Sequence, residues 1–450
     1  MILLYNFFTE FAPGANPNDT SAAVVEESKE TMQSIYPMWQ DVHVMIYIGF
    51  GFLMVFLKTH CWTSVGFNYL LSAWAFQWGI LVVHFWHCVF KNEWNKAELG
   101  VSSLVIGDFA AGACMITFGA ILGKADLFQC WVLITFEIIF YALNEAIGVE
   151  VFGAVDMGGS MYIHTFGAYF GLAATYFFNP KRAIADENNR GVGGYNSQLV
   201  AMVGTIFLYM YWPSFNAALA PHISRERIVV GTAIAISASN IAACAVSRLI
   251  HLSLDMEIVL NATIAGGVAI GACTDLIATP GIAIIIGAIA GTVSALGFAY
   301  LSKFLQGKII LHDTCGVHNL HGIPGILGGV FGAIAVTQAG AFKDVEAQYI
   351  LFPMMKEGRT LSEQAGYQLA ALGCTFAIAI LGGLISGLIA SKIGRNVEQI
   401  FGDEDHWEAI NYDIKTKDAA IDQTKDHAGN LKRGITMAIG KAPKQANHGV

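Results

Sequence analysis

The chain has 450 residues, of which 55% are apolar, 12% are aromatic and only 13% are charged. A soluble domain usually carries charge on about a quarter of its residues, so this composition excludes an ordinary soluble protein and favours one embedded in lipid. The net charge of −9, without a basic cluster, argues against a nucleic-acid partner. The eight cysteines lack the paired spacing of a disulfide framework or a zinc site.

The apolar segments predict an all-α, polytopic membrane protein. A bilayer core about 30 Å thick needs about 20 apolar residues in a helix, and on that measure the sequence contains eleven candidate spans. They lie near residues 40–58, 63–90, 104–123, 127–150, 157–178, 197–219, 228–250, 256–277, 280–301, 314–338 and 366–392. Residues 1–39 are then predicted to be extracellular, 40–393 to form the transmembrane domain, and 394–450 to be a largely disordered cytoplasmic tail.

The basic residues and a sequon indicate the orientation of the chain. The loops on the two sides carry eight Lys and Arg residues each, and the basic residues after the last span favour a cytoplasmic C-terminus. Asn18 begins an Asn-Asp-Thr acceptor for N-glycosylation within a polar stretch. Its glycosylation would place the N-terminal segment outside.

An internal repeat is the most informative feature of the sequence. Residues 156–171 and 313–328 both fit the pattern D-x2-G-x4-H-x6-G. They fall at the fifth and tenth predicted spans, which divides the domain into two five-helix units, 40–178 and 197–338, and a last helix, 366–392. Because each unit has an odd number of helices, the second enters the membrane inverted, as in many transporters whose pathway lies between the two halves.

The repeat predicts that two histidines meet at the centre of the bundle. An Asp-to-His spacing of eight residues corresponds to about 12 Å along a helix, which would carry His164 and His321 toward the midplane from opposite faces. Ionisable groups inside a membrane are candidates for a functional site. A lone buried histidine is more often a hydrogen-bonded core residue, but the symmetric placement of two favours a pathway.

Imidazole in an apolar passage suits a small polar molecule. A neutral ring offers one donor and one acceptor, and a low dielectric disfavours the charged form of any titratable group, including an ammonium ion. Such a passage should conduct NH3 and leave the proton behind, unless the two imidazoles relay the proton separately. The residues themselves leave both mechanisms open.

Three acidic residues at the ends of predicted spans have two interpretations. Glu145, near the outer end of the fourth span, would collect cations at the mouth of a pore. Asp255 and Asp313 precede predicted helices, where an Asp most often caps the N-terminus. Capping is therefore the favoured interpretation for these two.

Neither a metal site nor an enzyme is predicted. His84 with His87, and His318 with His321, have a spacing of three residues that suits metal binding on a helix, but neither pair has a third ligand motif. No nucleophile elbow or metal signature supports hydrolysis, and no cofactor is expected.

Several long segments resemble the Rh glycoproteins of the ammonium transporter superfamily. These are DMGGSMYIHTFGAYFGL, YMYWPSFNAAL, LNATIAGGVAIG and HDTCGVHNLHGIPGILGGVFGA. The likeness runs from about residue 38 to 340, with a weaker echo at 401–408, and favours the ammonia-conducting members over the blood-group-type homologues that lack the histidines.

The resemblance implies the ammonium transporter fold, a homotrimer with one pore per subunit, and electroneutral passage of NH3, with CO2 as a second gas. His164 and His321 match the twin pore histidines of the family. Phe109 and Phe215 match its stacked outer constriction.

The resemblance also assigns roles to acidic residues. Asp156 and Asp255 match paired acidic residues near the two pore ends, and Glu145 matches the acidic outer vestibule. The chain departs from the family at its start, where MILLYNFF stands in place of a full additional spanning helix.

The favoured function is a passive ammonia channel in the plasma membrane. Two alternatives are an electrogenic ammonium transporter and a non-conducting scaffold whose tail binds cytoskeletal proteins.

Overall fold

The computed structural model is all-helical apart from two short strands among the residues it describes. Thr9–Phe11 and Ala97–Leu99 form a parallel pair. The described residues are 1–16, 18–186, 191, 193–338, 345–395, 397 and 399–407.

Among these residues, eleven helices correspond to the eleven predicted spans. They are α1 (Ala22–Phe56), α2 (Cys61–Lys91), α3 (Val101–Ile121), α4 (Leu127–Val151), α5 (160–175), α6 (Tyr195–Ala217), α7 (His222–His251), α8 (Met256–Ile270), α9 (Pro280–Ile309), α10 (His318–Gln338) and α11 (Leu361–Ala390). Eight of them, all except α5, α6 and α8, are long and apolar enough to cross a membrane by themselves. The prediction of a polytopic all-α fold is confirmed.

The first helix begins much earlier than the sequence predicted. α1 starts at Ala22, whereas the first span was expected near residue 40 and the preceding residues in an extracellular segment. Residues 22–34 are rich in Ala, Glu, Lys, Met and Gln, which favour helix. Their charges do not fit into lipid, but a helix can continue beyond the bilayer. The predicted start of the membrane span near residue 40 therefore stays a prediction.

The N-terminal segment lies at the beginning of α3. Phe11 pairs with Leu99, two residues before α3 starts. Asn18, the predicted glycosylation site, is exposed. A short helix, Ile2–Phe8, precedes this strand.

Part of the C-terminal tail packs at the other end of α3. The Phe401 N–H donates to the Gly123 carbonyl over 2.9 Å, just beyond the end of α3. The Asp403 carboxylate accepts from the Thr63 N–H over 2.8 Å in the first turn of α2. Residues 399–407 of the tail are therefore packed against the bundle. Residues 408–450 lie outside the described residues, so a largely disordered tail stays a prediction.

Small residues bring the helices of the bundle close together. Along α3 every residue from Gly107 to Ile121 is buried. α7 and α9 meet at Gly287, where a Cβ would overlap the Ala235 carbonyl group. Membrane helices associate through such close contacts, since lipid is as apolar as their own side chains.

Candidate functional site

In the first copy of the repeat, Asp156 caps the start of α5. Its Oδ2 accepts hydrogen bonds from the Met161 N–H over 2.8 Å and the Tyr162 N–H over 2.9 Å. Gly159 adopts a left-handed conformation, with φ of 66°, immediately before the helix begins at Ser160. The first part of the motif thus turns the chain and satisfies the amide groups at the helix start.

The second copy repeats this arrangement at α10. The Asp313 carboxylate accepts from the Val317 N–H over 3.0 Å and the His318 N–H over 2.9 Å. Gly316 has the same φ of 66° as its counterpart in the first copy. The expectation of 12 Å along a continuous helix was wrong for both copies, because each Asp precedes its helix and folds back onto it.

The two repeat histidines meet in the interior. The Nδ1 atoms of His164 and His321 are 3.1 Å apart, and their ring planes differ by 5°. The two residues are 1% and 2% exposed. Both lie in wide π-helical turns, which occur frequently at functional sites. Two neutral rings satisfy this contact when one Nδ1–H donates and the other Nδ1 accepts.

Aromatic rings surround the histidine pair. Phe50 stacks on His321 with centroids 6.0 Å apart, and Trp212 stacks on His164 at 5.6 Å. Phe215 lies 5.7 Å from the His164 ring. Phe215 in turn contacts Phe109, with centroids 4.7 Å apart and planes at 39°. The histidine pair therefore lies in an apolar environment, next to Phe215 and, beyond it, Phe109.

An open cavity leads from one surface toward these phenylalanines. Its volume is about 550 Å³, and it lies at the same face as the beginning of α3 and the end of α4. Its lining includes Phe109, Glu145, Glu150, Asp156 and Ile163. Since Ile163 immediately precedes His164, the cavity extends from an acidic mouth almost to the buried pair.

Known proteins share both the sequence and this architecture. The Ammonium Transporter Family matches the chain over residues 2–412. The chain belongs to this family.

Ammonium transporter Rh type C of Xenopus tropicalis is 39% identical over 440 residues, which are 95% of this chain and 93% of that protein. Ammonium transporter Rh type B-A of Xenopus laevis is 44% identical over 359 residues, 79% and 77% of the two chains. Among solved structures, Nitrosomonas europaea Rh50 superposes with a TM-score of 0.72 at 28% identity, covering 92% of this chain and 99% of that one.

These comparisons confirm the resemblance to Rh-type members of the family. They also agree with a multi-pass membrane protein whose family consists of transport proteins and not of enzymes. Saccharomyces cerevisiae Mep2, with a TM-score of 0.63 and 18% identity over 84% of this chain and 90% of that one, shares the fold.

In this Ammonium Transporter Family member, Glu145 lines the cavity, and its predicted role in an outer vestibule stays a prediction. Its Oε2 is 2.7 Å from the His87 Nε2. Sequence reasoning considered His87 only as a partner of His84 for a metal, and the His84 Nε2 instead contacts the Asn95 carbonyl oxygen over 2.9 Å. Within the described residues no group of three side chains suited to a metal is present.

Asp255 has a capping position, which was the favoured interpretation. It accepts from the Ile258 N–H over 3.1 Å at the start of α8. The resemblance pairs it with Asp156 as acidic residues near the two pore ends, and this role stays a prediction; within the repeat, the equivalent of Asp156 is Asp313. Asp255 does not line the acidic cavity, which begins at the opposite end of α7.

Sequence reasoning missed two aromatic residues of the site, Phe50 and Trp212. Trp212 stands in the segment YMYWPSFNAAL, three residues before Phe215, so a helical spacing from that residue could have indicated it. Phe50 belongs to α1 and reaches His321 through tertiary packing. No local sequence signal distinguishes it among the 29 phenylalanines.

Proposed function

We propose that this protein is a channel that conducts ammonia as neutral NH3. The observation that supports this most is the contact between His164 and His321, buried among aromatic rings at the inner end of an acidic cavity. Phe109 and Phe215 would form the constriction between that cavity and the histidines.

The chemistry of the pair favours the neutral molecule. Transfer of an ammonium ion from water into an apolar passage costs far more free energy than transfer of NH3, because no fixed charge compensates the ion there. Each imidazole has one ring nitrogen engaged with its partner, which leaves the Nε2 of His164 without a hydrogen-bond partner among the described residues. That nitrogen can form a hydrogen bond with NH3 without taking a proton from it.

Flux measurements test the proposal directly. Purified protein is reconstituted in vesicles that contain a pH-sensitive dye, and an ammonium gradient is applied while the membrane potential is clamped. We expect alkalinisation without a sustained current. His164→Leu and His321→Leu each remove a hydrogen bond worth about 1 kcal/mol, and this should lower the initial rate about fivefold.

His251→Leu is a matched control, since it makes the same chemical change at an exposed residue at the end of α7. It should leave the flux unchanged. If the double variant of His164 and His321 retains wild-type flux and selectivity, the central role of the pair is wrong.

Electrogenic ammonium transport is the second candidate. The contact between the two ring nitrogens also suits a proton relay, since each ring nitrogen can take up or release a proton. A sustained ammonium-dependent current in the same vesicles would select this mechanism. A non-conducting scaffold, the third alternative, predicts no flux above that of empty vesicles.

The remaining parts of the proposal concern the assembly and its setting. We infer a plasma-membrane homotrimer that is N-glycosylated at Asn18, with the C-terminus in the cytoplasm and CO2 as a further permeant gas. The orientation is supported by the strand Thr9–Phe11, seven residues before Asn18, lying at the beginning of α3 and by residues 399–407 packing at its end. A cytoskeletal partner of the tail would bind mainly to residues that the structure does not describe.

A further inference from the structure

A side chain of α1 holds α3 beside the first phenylalanine of the constriction. Asp108 immediately precedes Phe109 and is 0% exposed. The Nδ1 atom of His43, on α1, lies 2.9 and 3.0 Å from the two carboxylate oxygens of Asp108. Because a carboxyl group is costly to bury without a hydrogen-bond donor, this contact fixes the position of α3 against α1.

The same helix holds α6 beside the second phenylalanine. Ser214 immediately precedes Phe215, and its Oγ donates to Asp41 Oδ2 over 2.6 Å. Pro213 comes one residue earlier within α6 and has no N–H, so α6 lacks one of its own hydrogen bonds there. A bond to another helix therefore contributes more to the position of this turn than it would in an uninterrupted helix.

These two contacts limit how far the phenylalanine rings can separate. The ring centroids of Phe109 and Phe215 are 4.7 Å apart, which is a direct ring contact, so a permeant molecule must displace the rings. A helix that is held at one residue cannot rotate or shift freely at the next residue. Asp41 and His43 are two residues apart on α1, so one segment of one helix restrains both rings.

We propose that Asp41 and His43 are positioning residues that set the width to which the constriction opens, and thereby its selection between ammonia and larger amines. The inference rests on the proposed function, because it assumes that NH3 passes between Phe109 and Phe215. Ammonia requires only a small displacement of the rings. An amine with one methyl group requires a larger displacement, which the two contacts with α1 oppose.

The relative flux of methylamine and ammonia tests this role. The full-length protein is reconstituted in the dye-containing vesicles, and the initial rates of alkalinisation are compared under ammonium and methylammonium gradients. Ser214→Ala removes the bond to Asp41, and we expect the ratio of methylamine flux to ammonia flux to rise about fivefold. Asp41→Asn keeps an oxygen acceptor for the serine hydroxyl and should keep the wild-type ratio.

The contact on α3 needs a paired substitution. His43→Leu alone would leave the Asp108 carboxyl group buried without its donor, so it is combined with Asp108→Asn, which is uncharged. This paired variant should also raise the ratio about fivefold, and adding Ser214→Ala should raise it further. Size-exclusion profiles and unfolding temperatures establish which variants are folded. If the paired variant does not fold, the comparison of Ser214→Ala with Asp41→Asn decides the inference.

Ser237→Ala is the matched control, because it makes the same chemical change at another contact of α6. Ser237 Oγ, on α7, lies 2.8 Å from the Tyr209 hydroxyl of α6. The control should keep the wild-type ratio. A wild-type ratio in Ser214→Ala, or an equal rise in Ser237→Ala, would overturn the inference, because a general loosening of the bundle does not act through the constriction. If the wild type conducts ammonia and the ratio does not respond, this inference alone fails. If the wild type shows no ammonia flux above that of empty vesicles, the proposed function fails as well.

Discussion

The two copies of the repeat motif can be compared residue by residue. In both, an Asp caps the start of a helix, a Gly with φ of 66° turns the chain, and a His lies in a π-helical turn at the centre. The final Gly of each motif also lets its helix pack closely against a neighbouring helix. A Cβ at Gly171 would overlap Thr117 and Ala120 of α3, and one at Gly328 would overlap Ser160 of α5.

The segments that lead into the two motifs are held in different ways. Before the first copy, Val155 exchanges two hydrogen bonds of 2.7 Å with the side-chain amide of Gln368, from α11. Before the second copy, the Lys124 ammonium group donates to the His312 carbonyl over 2.7 Å and to Thr175 Oγ1 over 2.6 Å. The support of the first segment thus comes from the helix outside the repeat, and the support of the second segment comes from within the first unit.

This difference separates two levels of the architecture. The inverted repeat defines the centre of the bundle, where two equivalent turns bring equivalent histidines into contact. It does not define the segments that lead into the two motifs, because these are held by non-equivalent residues. Equivalent substitutions within the two motifs should therefore have similar effects. Substitutions of the residues that hold the two preceding segments should have different effects.

The largest effect is expected from removing the aspartate caps. Asp156→Ala and Asp313→Ala each leave two backbone N–H groups without their charged acceptor. Hydrogen bonds to charged groups contribute about 1.5–3 kcal/mol each, so either variant should lose at least about 3 kcal/mol of stability. Thermal unfolding in detergent measures this loss, which should be similar for the two.

Asp255→Ala is the control for these caps, since Asp255 holds a single N–H at the start of α8. The loss of such a cap costs about 1 kcal/mol. If Asp313→Ala resembles Asp255→Ala and not Asp156→Ala, the equivalence of the two motifs is wrong.

Much of the fold can be predicted from the sequence, because each span must be an apolar segment long enough to cross the lipid. The eleven predicted segments all correspond to helices, since a segment of about 20 apolar residues can be recognised from the sequence alone. The start of α1 and the packing of residues 399–407 were not predictable in this way. The second depends on contacts such as Phe401 with Gly123, which join residues far apart in the chain.

The site was predictable to the extent that symmetry revealed it. The repeat alone indicated His164 and His321, whereas Phe109 and Phe215 were indicated only by the resemblance to a family. The contacts of His87 with Glu145 and Glu150 needed the three-dimensional structure. Its partners belong to another helix, and no spacing within α2 encodes a contact with α4.

A smaller effect, confined to the segment before the first motif, is expected from Gln368→Leu. The leucine removes both hydrogen bonds to Val155 and leaves a buried N–H and a buried carbonyl without partners. We expect a loss of about 2 kcal/mol in stability and a lower ammonia flux, because residues 152–155 lead directly to the Asp156 cap. Flux that stays at the wild-type level in a destabilised Gln368→Leu protein would show that conduction does not depend on the two hydrogen bonds of Val155.

The smallest effect is expected from Thr175→Val, in the segment that leads into the second motif. Thr175 Oγ1 accepts from Lys124 over 2.6 Å and donates to the His312 carbonyl over 3.0 Å. Valine has nearly the same shape, and Lys124 keeps the carbonyl oxygens of Ala120 and His312 as acceptors, at 2.6 and 2.7 Å. Because the charged group stays satisfied, the loss of stability should be about 1 kcal/mol, with flux changed less than about twofold. Unfolding temperatures measured beside those of Gln368→Leu decide the comparison. A larger loss at Thr175 would mean that the segment before the second motif depends on neutral hydrogen bonds, as the segment before the first motif does, and that the ammonium group of Lys124 is not its main support.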